Sequence, residues 1–232
     1  MKLIHLHIPK TAGTSLRESI ALAHPELSVA QVIEPIKAPL PEGTSVVSGH
    51  ISFDDAAVFG DNIVTVLRHP VDRFVSIYFF WRELYAKGIE TTRKASMAHH
   101  LSLLEFARSM DEPELCSELF NRMSWQLHSN YRLLKRFKQR SEAGVVTTQA
   151  LIDGAMANLR RFPVVGFQDR YGDFVDALNT RFQLKIENRK VNVTQSRSAM
   201  EDLTRPELDA ILHWVRADME VYAQARAEFG ES

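Results

Sequence analysis

Three short segments in the first third of the chain carry side chains suited to binding an anion and moving a proton. The first, residues 9–15 (Pro-Lys-Thr-Ala-Gly-Thr-Ser), combines a lysine, a glycine and three hydroxyl side chains. Glycine permits tight backbone turns, and the N–H groups at the start of a helix carry partial positive charge that attracts anions. This segment, which we call the anion loop, therefore predicts a site for a phosphate or a chemically similar group.

The other two segments add a base and a second cation. Gly49-His50 follows an apolar run at 44–48, and Arg68 follows another at 62–67. An ordinary histidine titrates near pH 6.5, so His50 is suited to accept a proton from a hydroxyl group at neutral pH. The guanidinium of Arg68 is suited to hold a phosphate through two parallel hydrogen bonds. Considered alone, His50 could equally be a structural loop residue. Arg68 alone could equally be a residue of a structural ion pair.

The hydrophobic pattern predicts strands that alternate with helices. Strands are predicted where short apolar runs end in loop residues, at 3–8, 44–48, 62–67 and 162–167. Helices are predicted from apolar spacing and capping residues, from Leu16 onward, at 71–84, over much of 102–140, at 148–161, at 171–182 and after the Thr204–Glu207 capping box.

This alternation predicts an α/β fold with three layers, in which helices flank a mostly parallel central sheet. The pattern predicts one domain over residues 1–232, with a mainly helical insertion at about 85–160 after the third predicted strand. Because ligands of such sheets bind beyond the carboxyl ends of the strands, Lys10, His50 and Arg68 are expected to converge.

Composition narrows the classes of partner. The net charge of -1 gives no overall attraction for nucleic acid or an anionic membrane, so an anion site must be local. Cys116 is the only cysteine, which excludes an intramolecular disulfide and a cysteine zinc cluster. No apolar run approaches the length of about 20 residues that crosses a bilayer, and the first strand begins beside Met1. These features lead us to expect a cytoplasmic protein without an integral membrane segment.

Taken in order, the three segments resemble the donor site of sulfotransferases that use 3′-phosphoadenosine-5′-phosphosulfate (PAPS). The similarity is greatest to the carbohydrate type that includes heparan sulfate 2-O-sulfotransferases. Residues 9–15 resemble that family's 5′-phosphosulfate loop, residues 67–78 its 3′-phosphate motif, and Gly49-His50 its glycine–histidine element, whose histidine is the catalytic base. The close match covers residues 3–80, and a looser one continues through 165–167 and 191–194 to the final helix.

The resemblance implies a P-loop-like fold, PAPS as co-substrate, adenosine 3′,5′-bisphosphate as product and no metal. It implies that His50 acts as base and that Lys10 stabilises the oxygen released from sulfur. It assigns contacts with PAPS to Lys10, Thr11, Ala12, Gly13, Thr14, Ser15, Arg68, Ser76, Asn192 and Thr194. Weaker similarity suggests acceptor contacts for Asn121, Arg189 and Lys190. The acceptor is expected to be a hydroxyl group, on a saccharide or glycolipid.

Two other functions stay open on the sequence. A P-loop-type nucleotide-dependent kinase requires Gly-Lys-Ser/Thr, whereas here the lysine precedes the glycine, and the third predicted strand ends in Arg68 instead of a magnesium-binding aspartate. A catalytically silent nucleotide-binding module is the third possibility. The presence of Lys10, His50 and Arg68 together argues against it.

Several neighbouring side chains have a structural interpretation. His5 and His7 share one strand face at a spacing that suits a metal, but no carboxylate partner is evident, so packing or hydrogen bonding is expected. Phe80, Trp81 and Trp125 could stack on a sugar or adenine ring, although core packing is the default for aromatic residues at helical spacing.

Overall fold

A five-stranded parallel sheet forms the centre of the protein. The structure is a computed structural model that describes residues 2–33, 39–109, 111–128, 148–188 and 200–230. Its strands are β1 (Leu3–Leu6), β2 (Ser28–Ile33), β3 (Thr44–His50), β4 (Ile63–Leu67) and β5 (Val164–Phe167). All pair in parallel, in the order β2-β3-β1-β4-β5. The predicted α/β fold with a parallel central sheet is confirmed.

Ten helices accompany the sheet in the described parts of the chain. They are α1 (Gly13–Ala23), α2 (Phe53–Ala57), α3 (Pro70–Ala86), α4 (Arg93–His100), α5 (Leu103–Arg108), α6 (Pro113–Leu119), α7 (Arg122–His128), α8 (Thr148–Leu159), α9 (Tyr171–Phe182) and α10 (Arg205–Phe229). Short 3₁₀ turns lie at Gln168–Arg170 and Met200–Asp202. No described helix is long and apolar enough to cross a bilayer.

Helices cover both faces of the sheet because successive strand side chains point to opposite sides. Leu3 packs with α1 and α9, whereas its neighbour Ile4 packs with α2, α7, α8 and α10. A further apolar cluster joins α3 to α4, α5, α6 and α10, and the fully buried Trp214 belongs to it. Helices α4, α5 and α6 of the predicted insertion therefore pack with α3 and α10, whereas α7 and α8 pack against the sheet and α10.

Several elements differ from the predicted ones: β1 ends at Leu6, and α2 was not predicted. β2 was not predicted, since its residues are half exposed at an edge of the sheet, with Ile33 60% exposed. β3 continues through His50, so the predicted base is the last residue of a strand. In the described part of 102–140 there are three short helices, because Pro113 starts a new helix and Asn121 has the left-handed φ of 44°.

Helix α3 starts immediately after the predicted anion-binding arginine. Pro70 occupies its first turn, where a missing N–H costs no helical hydrogen bond, and Asp72 adds an acidic residue to the same turn. The chain thus leaves β4, passes Arg68 and His69, and enters a helix of 17 residues. This fixes Arg68 at the junction of the strand and the helix.

Candidate functional site

The carboxyl ends of β1, β3 and β4 lie side by side, because β1 is central and pairs with the other two. The N–H of His7 donates to the carbonyl oxygen of Gly49 at 2.9 Å. The hydroxyl of Thr65 donates to the carbonyl oxygen of Leu6 at 2.8 Å. The three segments with predicted chemistry therefore open on one edge of the sheet.

The anion loop has an unusual backbone. Lys10 and Ala12 adopt the left-handed region, with φ of 70° and 71°, which costs a non-glycine residue about 1–2 kcal/mol. The loop is braced by the hydroxyl of Thr11, which donates to the carbonyl oxygen of Ile8 at 2.7 Å. Helix α1 begins directly after Ala12, which offers no side-chain acceptor to the N–H groups of the first turn. Such a loop is suited to present those N–H groups to an anion.

Gly13 is required by the close approach of a histidine ring. A Cβ atom at this position would lie 2.1 Å from Cδ2 and 2.2 Å from Nε2 of His7. No side chain fits there, so the ring of His7 lies directly against the residue that opens α1. The glycine of the anion loop therefore serves packing as well as backbone geometry.

Arg68 connects the end of β4 and helix α3 to the anion loop. Its Nη1 donates to the carbonyl oxygen of Lys10 at 2.8 Å and to Oγ of Ser76 at 3.0 Å, and its Nε donates to Asp72 at 2.5 Å. The sequence predicted that Arg68 and Ser76 lie on the same ligand group, and the structure brings them into direct contact. The contact with the Lys10 carbonyl was not predicted.

The guanidinium of Arg68 keeps one buried donor unused. The residue is 6% exposed, and its Nη2 has no hydrogen-bond partner among the described residues. Burial lowers the pKa of Arg68 to about 10, which leaves the side chain charged at neutral pH. Because a buried unpaired donor is costly, this nitrogen is suited to receive an anion.

The side chain of Lys10 lies on an aromatic ring. Its Nζ is 3.8 Å from the centre of the Phe80 ring. Phe80 is half-buried and lies one turn beyond Ser76 on α3. The predicted leaving-group stabiliser and the predicted phosphate ligand are therefore organised by the same helix.

Three histidines form a row beside the anion loop. The rings of His5 and His7 stack with centroids 5.2 Å apart, and the rings of His7 and His50 are 4.6 Å apart. Nδ1 of His5 is 2.9 Å from Oγ of Ser48, which confirms the expected hydrogen-bonding role of His5. The contact between His7 and His50 was not predicted, because it joins strands that are far apart in the sequence.

His50 is held in the neutral form. Burial, together with the positive charges of Arg122, Arg17 and Lys94, lowers its pKa to about 4, although Glu118 acts in the opposite direction. A neutral imidazole is the form that accepts a proton. The same causes act on its neighbours, since burial lowers the pKa of His5 to about 3 and that of His7 well below its usual value.

Cations predominate around these segments although the whole chain is nearly neutral. Lys94 pairs with Glu118 at 3.3 Å, and Arg68 pairs with Asp72. The cations that act on this edge are Lys10, Arg17, Arg68, Lys94 and Arg122. Among the described residues, these five cations outnumber the two carboxylates that pair with them, which favours an anionic ligand.

Gln126 is a site residue that the sequence did not reveal. It is fully buried, and its Nε2 donates to the carbonyl oxygen of His7 at 2.9 Å and to that of Ile51 at 2.8 Å. Its Oε1 accepts from Nε of Arg122 at 3.2 Å, and Arg122 also donates to the carbonyl oxygen of Ser117. Gln126 thus connects the segments after β1 and β3. A polar side chain on the apolar face of 121–127 was the only sequence signal.

The hydrogen bonds of Asn121 explain its buried position without a contact to an acceptor substrate. Its Oδ1 accepts from the N–H of Ala217 at 2.8 Å, beside the non-helical residue Val215 of α10. In return, the buried Asp218 accepts from the N–H and the hydroxyl of Ser124 at 2.8 and 2.7 Å. The two side chains hold α7 against α10.

The remaining residues with predicted contacts divide into two groups. Thr14 and Ser15 lie in the first turn of α1, next to Gly13, and Ser15 is buried. Asn192, Thr194, Arg189 and Lys190 lie outside the described residues.

No protein-family model matches this chain, and no curated protein does. The function is therefore inferred from the residues and their geometry. The edge of the sheet combines a cationic anion loop, a buried arginine with an unused donor and a neutral histidine. Such a set is suited to bind a multiply charged anion and to remove a proton from a neighbouring hydroxyl group.

Proposed function

We propose that this protein is a PAPS-dependent sulfotransferase, which moves the sulfuryl group of PAPS to a hydroxyl group of an acceptor. The observation that carries the proposal is the contact of Arg68 with both Ser76 and the carbonyl of Lys10. It joins the two segments that resemble the 5′-phosphosulfate loop and the 3′-phosphate motif. The buried, unused Nη2 of Arg68 fits a phosphate oxygen.

Different residues bind different groups of PAPS. Arg68 and Ser76 hold the 3′-phosphate, while the backbone N–H groups of residues 11–15 and the hydroxyls of Thr14 and Ser15 hold the 5′-phosphate. Lys10 reaches the oxygen that bridges phosphorus and sulfur. Each contact is a charge-assisted hydrogen bond or a helix N-terminal contact, and both kinds favour anions strongly in a partly buried site.

The chemical step forms one bond to sulfur and breaks another. The acceptor oxygen attacks sulfur, the bond from sulfur to the bridging oxygen breaks, and adenosine 3′,5′-bisphosphate leaves with the electron pair. His50 takes the acceptor proton, and Lys10 stabilises the charge that develops on the departing oxygen. A general base contributes about 10²–10⁴-fold in rate, and one fixed charge-stabilising donor contributes about 3–4 kcal/mol.

A bound anion raises the pKa of the base His50. In the free protein burial lowers the pKa of His50 to about 4, which makes it a weak base. Negative charge beside an imidazole raises its pKa, since it stabilises the protonated form. PAPS on the anion loop therefore strengthens His50 as a base for the acceptor.

The acceptor class follows from the resemblance to carbohydrate sulfotransferases. We propose a saccharide or glycolipid hydroxyl in a cytoplasmic reaction. The cations Lys94 and Arg122 beside His50 are compatible with an acceptor that carries negative charge.

Transfer of ³⁵S-labelled sulfate from PAPS to a panel of saccharides and glycolipids tests the proposal. We expect label in at least one acceptor, with the rate reduced by 10²-fold or more in His50→Ala and in Lys10→Ala. His99→Ala, which alters a histidine of α4 whose ring contacts Tyr85 and His100, serves as the matched control. Magnesium-dependent binding of ATP without binding of adenosine 3′,5′-bisphosphate would support a kinase instead. Tight binding of the bisphosphate without label in any acceptor would support a silent module.

A further inference from the structure

The contact between Lys10 and Phe80 places the predicted leaving-group stabiliser on a ring instead of in open solution. Nζ of Lys10 is 3.8 Å from the ring centre, which is within the range of an attractive cation–π contact. Phe80 is half-buried on α3, and its helix neighbours Ser76 and Ile77 are buried. The backbone that carries the ring is therefore held in place.

The backbone of Lys10 is fixed independently of its side chain. Arg68 donates to its carbonyl oxygen at 2.8 Å, and the next residue, Thr11, donates to the carbonyl oxygen of Ile8. The left-handed φ of 70° at Lys10 further restricts the main chain. The ammonium can therefore move by rotation of the side chain while the main chain of Lys10 stays in place.

An aromatic ring holds a cation more weakly than a carboxylate does and does not neutralise it. A half-exposed contact of this kind shifts an equilibrium by roughly two- to fivefold. Charge-assisted hydrogen bonds to a phosphate or sulfate oxygen are stronger than this. An anion that enters the loop can therefore take the ammonium from the ring.

We propose that Phe80 is the resting seat of the Lys10 ammonium, and that the ammonium moves from the ring to the anion when the loop is occupied. The second half of this inference rests on the proposed function, because it requires the nucleotide to bind at the anion loop. Phe80 is then a positioning residue. It keeps the cation charged and close to the anion loop, and its ring face is uncovered once the donor is bound.

The position of the ammonium can be observed directly by NMR. Reductive methylation with ¹³C-formaldehyde labels the lysines, and Lys10→Arg identifies the Lys10 signal. A cation above a ring is shifted upfield, so we expect an upfield Lys10 signal that Phe80→Leu abolishes and Phe80→Tyr retains. Phe79→Leu, the same change one residue earlier on α3, is the matched control and leaves the signal upfield.

Saturation with adenosine 3′,5′-bisphosphate should move the Lys10 signal back to the position of an ordinary lysine. Lys94, whose Nζ is 5.1 Å from the ring centre of Trp81, provides an internal reference for a lysine that stays above a ring. A Lys10 signal that Phe80→Leu does not move, or that stays upfield when the nucleotide is bound, overturns the inference. An upfield signal in a protein that binds no nucleotide contradicts the proposed function while the resting contact stands.

Binding affinities give a second, independent readout. If the Phe80 ring competes with the ligand for the Lys10 ammonium, Phe80→Leu tightens binding of adenosine 3′,5′-bisphosphate by roughly two- to fivefold. In a Lys10→Met background the same change has no such effect, because the coupling requires both partners. Equal effects in both backgrounds overturn the inference. Thermal unfolding of each variant identifies any loss of folding.

Discussion

Nη1 of Arg68 lies 3.0 Å from Oγ of Ser76 and donates at the same time to the carbonyl oxygen of Lys10. One nitrogen atom thus joins the end of β4, the second turn of α3 and the anion loop. Residues that bind different parts of one nucleotide in the proposed function are already held together without it. Because the group is charged and buried, these contacts also stabilise the ligand-free site.

The Arg68–Ser76 contact predicts a selective loss of nucleotide binding in Ser76→Ala. The change removes the oxygen that orients Nη1, and a hydrogen bond to a charged group contributes about 1.5–3 kcal/mol. We expect calorimetry to show binding of adenosine 3′,5′-bisphosphate weakened by about tenfold or more. Ser76→Thr, which keeps a hydroxyl, should bind more tightly than Ser76→Ala. Ser45→Ala, in β3 near its amino end, is the control. Unchanged affinity in Ser76→Ala would remove Ser76 from the site.

The low pKa of His50 predicts an unusual pH profile. A base acts only when deprotonated, so kcat/KM for PAPS falls as the pH drops through the pKa of the free enzyme. Since that pKa is about 4, the acidic limb should lie near pH 4 and not near 6.5. NMR titration of the His50 ring should give the same value without any acceptor. A His50 signal that titrates at its ordinary position would contradict the burial argument.

The histidine row predicts acid sensitivity of the fold. The pKa of His5 in the folded state is about 3, below that of an unfolded histidine, and the pKa values of His7 and His50 are lowered in the same direction. The unfolded chain therefore binds more protons between about pH 6.5 and 4. The free energy of unfolding should decrease as the pH falls through this window.

Urea unfolding at several pH values measures this slope. We expect a smaller slope in His5→Phe, which removes one titrating ring, whatever the stability of that variant at pH 7. His100→Phe, at an exposed position, should keep the wild-type slope. Equal slopes in wild type and His5→Phe would show that the row does not control the acid response.

Gln126 is expected to be essential for the arrangement of the site. In Gln126→Leu the carbonyl groups of His7 and Ile51 lose their donor, and each buried unsatisfied group costs about 1–3 kcal/mol. We predict a loss of about 2–4 kcal/mol in the free energy of unfolding, measured in urea. Gln149→Leu changes an exposed glutamine and should stay within about 0.5 kcal/mol of wild type. A stable Gln126→Leu protein with the His7–His50 ring contact intact would contradict this role.

The parts of the molecule that the sequence predicted depend on local patterns. The parallel strands, the helix after Pro70 and the position of Lys10, His50 and Arg68 at or after the carboxyl ends of neighbouring strands follow from short apolar runs and from the rule that ligands lie at those ends. The edge strand β2 was not predicted because its residues are half exposed and its apolar pattern is weak.

The parts that the sequence did not predict depend on contacts between distant residues. Gln126 reaches a carbonyl group 119 positions earlier, and the Lys10–Phe80 and His7–His50 contacts join different elements of the fold. No pattern within one helix or strand contains that information. Asn121 shows the reverse case, since a motif-like segment suggested an acceptor contact where the structure has a link between two helices.

Asn121→Ala distinguishes those two interpretations. If Asn121 holds α7 against α10, the change removes the acceptor for the Ala217 N–H and lowers the free energy of unfolding by about 1–3 kcal/mol. Affinity for adenosine 3′,5′-bisphosphate should stay within about twofold at temperatures where the variant is folded. Unchanged stability together with a raised KM for the acceptor would restore the acceptor contact.

Calorimetric titration with adenosine 3′,5′-bisphosphate, in parallel with adenosine 5′-monophosphate and without magnesium, tests the central claim most directly. The two ligands differ only in the 3′-phosphate that Arg68 and Ser76 are proposed to hold. We expect the bisphosphate to bind at least tenfold more tightly than the monophosphate, and we expect Arg68→Gln to remove the difference. No detectable binding at millimolar bisphosphate, or equal affinity for the two nucleotides, would contradict it.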